Sequence, residues 1–309
     1  FPVTEIKVKN NIIDFNNVQY DSLGLYISTN NKATISINGR RYRGDIEIRI
    51  DKKTNLINVI NIISLENYLK GVISREISPK WDISAVKAQV IVARTYAVYK
   101  MQDPVDENFH VNSGIFSQVY GGRYAEDKIA NKAVVETSDI VMMYKGEIVP
   151  AFYHSACGGS TEDADNLWKI KHPSLKGVKC SYCKESPHMN WNYSIKLKEL
   201  SNKLKKISGG IKSAVKEIQV LDRSESNRAK WMKVIYKNNE VIKMSGNTFR
   251  INAGPDKIRS SNFNVKIKGS SAVFTGKGWG HGVGLCQWGA KALAEKGMNE
   301  FDILRYYYG

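Results

Sequence analysis

The chain has 309 residues, 42% hydrophobic and 10% aromatic, with a net charge of +16. That is enough for one large or two medium domains with proper cores, and too apolar for long disorder. No apolar run approaches the roughly 18–20 residues that cross a bilayer, and no signal peptide is recognisable. Because the sequence begins at Phe1 rather than Met, an N-terminal segment, either a signal peptide or a membrane anchor, is expected to have been removed. The basic excess favours polyanions such as nucleic acid, acidic lipid or an anionic cell-wall polymer. No RNP-type aromatic block, KH loop or DNA-reading finger spacing accompanies it, so nucleic acid is not expected as a partner.

From Val3 to Ile63 apolar and polar residues alternate in short runs, at Ile6–Lys9, Ala33–Ile37, Ile46–Ile50 and Ile57–Ile60. These read as strands, with Asn38-Gly39 a strong hairpin signal. Ser64 then caps a predicted helix that Pro79 stops near Glu76, since proline disfavours helical geometry at Ser78. Asp82 caps a second helix running without Gly or Pro to about Lys100. On it Lys87, Ile91, Arg94 and Val98 share one face, and Gln89, Ala93 and Tyr96 share another. The intervening residues are almost all Ala, Val or Ile, so both faces look buried, and two cations there need partners. The pattern leaves two readings open. Either Lys87 and Arg94 serve Glu76 and a bound substrate, or Lys87 snorkels and Arg94 makes an ordinary structural ion pair.

Beyond a loop at 103–114, a short strand is predicted over Phe116–Tyr120, then a helix over 125–137 with Ala130, Ala133 and Val134 as its packing face. Ile140–Tyr153 reads as a hairpin turning at Lys145-Gly146. From about Asn190 to Thr275 the chain becomes lysine-rich. It suggests a helix at Lys196–Ile207, strands at Glu217–Leu221, Lys230–Tyr236 and Glu240–Met244, and a short helix and strand between Phe249 and Val265. Its lysines have the bland reading of a solvated face. At the end come glycines at 276, 278, 280, 282 and 284, a helix from Leu285 to Gly297, and a last helix, Glu300–Tyr308, with Phe301, Leu304 and Tyr308 on one face. The expected fold class is α+β: helices and antiparallel strands in a catalytic core, with a smaller α+β unit beside a cleft. The expected organisation is a β-rich segment at 1–60, the core at 61–189, an inserted unit at 190–275 and a C-terminal return to the core at 276–309.

Four stretches put ionisable or polar residues beside glycines or at a corner: the Glu76 turn, Ser117–Gly122, Tyr153–Thr161 and Gly280–Gly284. Together with YLKGVISREISPKWDISAVKAQVIVARTYAVYK, SQVYGG, FYHSACGGSTEDADNLW, FRINAGPDKIRSSNF and GKGWGHGVGLCQWGAKALAEKG, they resemble, in order, the motifs of the stage II sporulation protein D family. The resemblance spans most of the chain from about residue 45 onward. It implies a lytic transglycosylase acting on peptidoglycan glycan strands, or an amidase enhancer that stimulates a cell-wall amidase, on the extracytoplasmic face of a bacterial membrane or in the wall.

What the resemblance implies for residues is that Glu76 is the catalytic acid. Two carboxylates are usual in glycoside cleavage, but a lytic transglycosylase needs one, which acts first as acid and then as base. That cycle asks for a carboxyl of raised pKa, partly buried beside Ile77 and Trp81. The bland reading of Glu76 is a helix-end residue in a surface ion pair. Lys87, Arg94, Tyr96, Gln118, Tyr120, His154, Ser155, Thr161 and His281 match positions that line or support the family's cleft.

The four cysteines are Cys157, Cys180, Cys183 and Cys286. Cys180-Ser-Tyr-Cys183 is a C-x-x-C knuckle, a common half of a tetrahedral zinc site. Cys157 and Cys286 lie in two of the glycine-rich motifs where family members often have serine. All four are expected to meet at zinc, with His154, His172 or His188 as alternative fourth ligands and disulfides as the competing reading.

Overall fold

The computed structural model describes every residue except 1–5, 10–11, 16–17, 21–23, 31–32, 52–53 and 55. Val3 to Glu5, where the alternating region is expected to begin, therefore lie outside the described residues. The chain is α+β, as its sequence implies, with helices and small, mostly antiparallel sheets. It divides into two compact units: residues 1–80 with 97–140, and residues 81–96 with 141–309.

In the first unit, β1 (Ile6–Lys9), β2 (Ile12–Phe15) and β3 (Val18–Tyr20) make an antiparallel meander. β4 (Gly24–Ile27) precedes a hairpin of β5 (Ile35–Ile37) and β6 (Arg40–Tyr42). Asn38 and Gly39 at its turn have φ of 49° and 77°, the doubly positive geometry that a two-residue hairpin requires. β7 (Asp45–Ile50) lies between β4 and β8 (Ile57–Ile62), with Ile46, Ile48 and Ile50 buried.

α1 (Leu65–Glu76) follows, burying Tyr68, Leu69, Val72 and Ile73. Ser64 occupies its N-cap position, but its hydroxyl makes no capping bond; the Ser64 carbonyl accepts the Tyr68 N–H at 2.9 Å. Helical geometry ends at Ile77, which is extended ahead of Pro79. Asp82 caps α2 (Ile83–Gln102) through the Ser84 N–H at 2.8 Å. Every residue of α2 from Ala85 to Ala97 is buried except the half-buried Lys87, and the boundary between the two units falls inside this helix. α3 (Lys128–Glu136) is capped by Asp127 and buries Ala130, Ala133 and Val134.

The strand expected over Phe116–Tyr120 does not form. Its backbone groups find other partners: the Tyr120 N–H goes to the Ser113 carbonyl at 3.1 Å, the Gly121 N–H to the Gly71 carbonyl at 2.9 Å, and the Val119 N–H to a side chain of α1. Once those donors are satisfied there is no ladder left to join.

The second unit contains, in chain order, β9 (Met143–Tyr144), β10 (Glu147–Ile148), β11 (Tyr153–His154), α4 (Ala164–Trp168), β12 (Trp191–Lys196), α5 (Leu197–Leu204), β13 (Val215–Arg223), β14 (Ala229–Tyr236), β15 (Val241–Ser245), α6 (Gly246–Ala253), β16 (Phe263–Lys268), β17 (Ser271–Gly276), β18 (Leu285–Cys286), α7 (Gln287–Ala294) and α8 (Glu300–Tyr308). β9 and β10 are a hairpin, β11 and β18 pair in parallel, and two antiparallel sheets run in the orders β12-β17-β16 and β13-β14-β15. Between Trp191 and Phe274 lies a hydrophobic core built on Leu200, Leu204, Met232, Phe249, Phe263 and Phe274. On α8 the buried residues are Ile303, Leu304, Tyr307 and Tyr308, whereas Phe301, expected on the packed face, is 49% exposed. The buried stripe is set by Ile303 and Tyr307, four residues apart, and it turns Phe301 outward.

One contact in the first unit is unusually tight. A Cβ added at Gly71 would stand 2.5 Å from the Tyr120 ring. The missing side chain lets Tyr120 lie across α1, where it packs on Tyr68 at 5.2 Å between centroids and donates its hydroxyl to Asn61 at 2.7 Å. Gly71→Ala is expected to destabilise the protein by about 1–3 kcal/mol through overpacking, seen as a lower urea midpoint at unchanged m-value.

Candidate functional site

Glu76 is the last residue of α1, and its Oε1 accepts the Val119 N–H at 2.6 Å. A carboxylate at a helix C-terminus faces the negative end of the helix dipole, so an N–H donor from a neighbouring loop offsets an unfavourable position. That loop is pinned from below. Gln118 is fully buried and its Oε1 accepts from the Tyr68 hydroxyl at 3.0 Å, while Tyr120 is held by Asn61 and α1 as above. Burial pushes the Tyr120 hydroxyl pKa well above its usual value. Glu76, Gln118 and Tyr120 therefore share one unit and one hydrogen-bonded neighbourhood. Asn61 was not singled out in the sequence, where it reads as one more polar residue in an alternating strand.

Lys87, Arg94 and Tyr96 belong to the second unit. The Lys87 ammonium is 3.8 Å from a Glu300 carboxylate oxygen. Arg94 is 1% exposed. Tyr96 meets Phe152 edge-on at 5.9 Å, and Phe152 leads to an aromatic nest with Trp168 at 4.5 Å and His281 at 6.3 Å.

His154 and His281 face one another within that nest, 5.7 Å apart. His154 sits on β11, opposite Cys286 in the parallel pairing with β18. Its Nδ1 lies 3.1 Å from the Val283 carbonyl, which assigns the proton to Nδ1 and leaves Nε2 a buried acceptor with no hydrogen-bond partner. His281 Nδ1 accepts the Val283 N–H at 3.1 Å, so its proton is on Nε2. Burial, reinforced by His281 and Arg228, holds His154 well below the ordinary imidazole range. Burial, reinforced by Arg250, lowers His281 to about 3. Both rings are neutral at neutral pH and are hydrogen-bonding groups rather than cations.

Thr161 and Ser155 have more structural surroundings. Thr161 Oγ1 accepts the Val178 N–H at 2.7 Å while its own N–H reaches the Val178 carbonyl at 2.9 Å, so this residue clamps two loops together. Ser155 contributes its carbonyl to the Trp288 N–H at 3.1 Å.

The four cysteines are buried, and their sulphur atoms lie within 4.8 Å of one another. No histidine is needed to complete the group. Cys157 and Cys183 Sγ are 3.4 Å apart, far beyond an S–S bond of about 2.05 Å. Tetrahedral coordination with metal–sulphur bonds of about 2.3 Å has sulphur–sulphur edges of about 3.8 Å, which lies between the 3.4 Å of that pair and the 4.8 Å limit of the group, so adjustments of about 1 Å or less fit a metal. The Cys157 N–H points at Cys286 Sγ at 3.2 Å and the Gly159 N–H at Cys157 Sγ at 3.4 Å, as donors to thiolates do. Hydrogen bonds from Cys157 and its neighbours hold Cys183 low, whereas burial pushes Cys286 up. Four buried thiols at this spacing form a group that can hold a metal ion.

A neighbouring residue supplies an independent observation. Arg228, in the turn between β13 and β14, is 1% exposed. Its Nη1 and Nη2 donate to the carbonyls of Ser160 at 2.9 Å and Cys157 at 2.7 Å, and its Nε has no hydrogen-bond partner. The nearby Glu162 carboxylate is occupied by the hydroxyls of Ser224 and Ser226 and by Asn166. Burial pulls the guanidinium pKa down, and the negative charge of Glu162, Cys157, Cys286 and Cys183 opposes that. A buried guanidinium beside four sulphurs is what a thiolate-rich, net-negative centre would require. Gly282, at φ 95°, makes room for it, because a Cβ there would stand 2.4 Å from the Arg228 Cζ. Arg228 and Glu162 carry no sequence signal of burial: one lies in a polar turn, and the other among acids ahead of a short helix.

The histidine pair has a consequence for stability. An imidazole that binds its proton more weakly in the folded state than at the unfolded value near 6.5 leaves the unfolded chain richer in protons at low pH. Stability is therefore full above about pH 6.5 and is lost as pH falls toward the His281 value of about 3. A melting series over this range is expected to show a falling Tm, with a shallower fall in His281→Gln.

A family model described as stage II sporulation protein matches residues 53–144, which include Glu76, Lys87, Arg94, Tyr96, Gln118 and Tyr120. A second model, described as a domain of unknown function, matches residues 170–284. An uncharacterized protein of Brachyspira hyodysenteriae is 31% identical over 274 residues, covering 88% of this chain and 72% of that protein. Stage II sporulation protein D of Bacillus amyloliquefaciens is 29% identical over 264 residues, 80% of this chain and 73% of its own length. The amidase enhancer of Bacillus subtilis is 28% identical over 352 residues, covering 98% of this chain, which spans 48% of that protein. With these relatives and a motif order running through both units, the chain belongs to the stage II sporulation protein D family.

Proposed function

We propose that this protein is a peptidoglycan lytic transglycosylase that works at the extracytoplasmic face of a bacterial membrane or in the wall, with Glu76 as its one catalytic carboxyl. The observation that carries the reading is the hold on Glu76: a carboxyl at a helix end, oriented by the Val119 N–H within the segment that matches the family model. In the first step the protonated carboxyl gives its proton to the glycosidic oxygen between N-acetylmuramic acid and N-acetylglucosamine as the C1–O bond breaks. In the second, the carboxylate takes the proton of the muramic C6 hydroxyl while O6 bonds to C1, closing a 1,6-anhydro ring. Proton and electron pair balance without water, and one group serves as acid and then base. Lys87, Arg94, Tyr96, Gln118, Tyr120, His154, Ser155, Thr161 and His281 are proposed to bind the strand or support its cleft. The neutral His154, with an open buried acceptor, suits a hydroxyl or amide donor better than a carboxylate.

A second reading is supported by the amidase enhancer, whose match covers 98% of this chain. In it, the protein binds the wall without cutting it and activates an N-acetylmuramoyl-L-alanine amidase. Purified glycan strands separate the two. Wild type is expected to release 1,6-anhydromuramoyl products, and Glu76→Gln to lose at least about 100-fold in rate, the scale of acid–base catalysis. No turnover by either protein would favour the amidase reading.

Zinc is the metal we propose for Cys157, Cys180, Cys183 and Cys286, since four thiolates in a closed tetrahedral set are a structural zinc donor set. Its contribution would be a crosslink among three separate stretches of chain. The expected result is one zinc per chain by native mass spectrometry and a lower Tm after removal by a chelator. Two intact disulfides and no metal would reject it.

A further inference from the structure

Segment 190–275 holds 14 lysines and 4 arginines against 6 acids, which is twelve of the chain's sixteen net positive charges. Within it the β13-β14-β15 sheet has one face in the core and one in solvent. β14, the central strand, turns Met232, Val234 and Tyr236 inward and Trp231, Lys233 and Ile235 outward. Trp231 is 52% exposed; Leu221, next to its cross-strand partner Asp222, is 46% exposed, and Val241, opposite Ile235 at the other end of the strand, is 45% exposed. A tryptophan in the middle of a sheet usually packs its ring, which is worth kilocalories when buried; this one is left about half exposed.

The charges on the same face are arranged against stability. Lys233 and Lys243 are directly opposite in the β14–β15 register, and like charges so placed are destabilising. Asp222 lies 3.8 Å from Lys230, and Glu217 accepts from the neutral Gln219 amide at 2.6 Å, which leaves its charge in place. Against Lys233 and Lys243 that one carboxylate leaves the face net positive. Gln219, Lys233 and Lys243 form a row across the three strands, and Asp222, Trp231 and Ser245 form the next. With strands about 4.8 Å apart and same-face residues about 7 Å apart, a ring and two ammonium groups fall within the span of a couple of sugars.

We propose that this face, built on Trp231, Lys233 and Lys243, docks a polysaccharide strand bearing carboxylates. The Trp231 ring takes the apolar face of a sugar, and the two lysines take its carboxylate substituents. The carboxylate pairing removes the repulsion between the lysines, so binding relieves a cost that the free sheet carries. A single aromatic and two cations do not make the series of stacking platforms and the phosphate track of a single-stranded nucleic-acid groove. This platform lies apart from Glu76 in the sequence and does not depend on Glu76 being catalytic.

The test uses the full chain carrying Glu76→Gln, so that no strand can be cut, with insoluble peptidoglycan stripped of its stem peptides, whose lactyl carboxylates are free. Sedimentation gives the Kd. Adding Trp231→Ala, Lys233→Ala and Lys243→Ala, all surface changes checked by an unaltered Tm, is expected to weaken binding at least about tenfold, or about 1.4 kcal/mol. When the glycan carboxylates are converted to methylamides, the two lysine substitutions alone are expected to have no further effect. A Kd within twofold of the parent for the triple variant would overturn the proposal. So would single-stranded DNA binding more tightly than glycan and being released by the same substitutions.

Discussion

Four sulphur atoms from three stretches of chain must come within one small volume, and much of the second unit is arranged so that they can. Cys157 follows β11, Cys286 ends β18, and the C-x-x-C pair lies on a short turn between them in sequence. The parallel pairing of β11 with β18 is only two residues long, Tyr153 with Leu285 and His154 with Cys286. A ladder that short has little strength of its own. Near it are the thiol cluster, through Cys286, and the Phe152, Trp168 and His281 rings. His154 belongs to both neighbourhoods, paired with Cys286 in the ladder and 5.7 Å from the His281 ring.

In the first unit the equivalent constraint is steric. α1 can carry Tyr120 only because residue 71 lacks a side chain. That contact sets the course of the loop through Gln118 and Val119, and the Val119 N–H in turn reaches Glu76. A carboxyl at the end of a helix is thereby oriented from outside the helix by a segment that has given up the chance to be a strand.

Much of this architecture was legible in the sequence, because periodicity and turn chemistry act locally. The α1–α2 corner is written in Pro79 and Asp82, the β5–β6 hairpin in Asn38-Gly39, and the β13-β14-β15 meander in alternating runs. The failures are equally physical. Phe116–Tyr120 has the composition of a strand, but the Val119 N–H is claimed by Glu76, forty-three positions away, and the Tyr120 N–H by the Ser113 carbonyl of its own loop. Ser64 is the right residue for a cap and sits in the right place, yet its hydroxyl is not used. Phe301 has the helical spacing of a packed residue and faces outward. At the site, the cysteine spacing suggested a meeting that the fold allows. Nothing in the order of residues announced that Arg228 would be buried beside it, since burial of a turn residue is decided by a tertiary neighbour, here Gly282.

That turn has a bearing on how the chain can be shortened. The stretch from 190 to 275 has a hydrophobic core of its own and would ordinarily be thought of as detachable. The tip of its β13–β14 hairpin, however, supplies the only side-chain donors seen on the carbonyls of Cys157 and Ser160 among the described residues, and the hydroxyls that surround Glu162. Excising the stretch would leave a buried carboxylate and two carbonyls facing an empty slot. A deletion through the middle of this protein would therefore also remove part of the wall of the cysteine cluster.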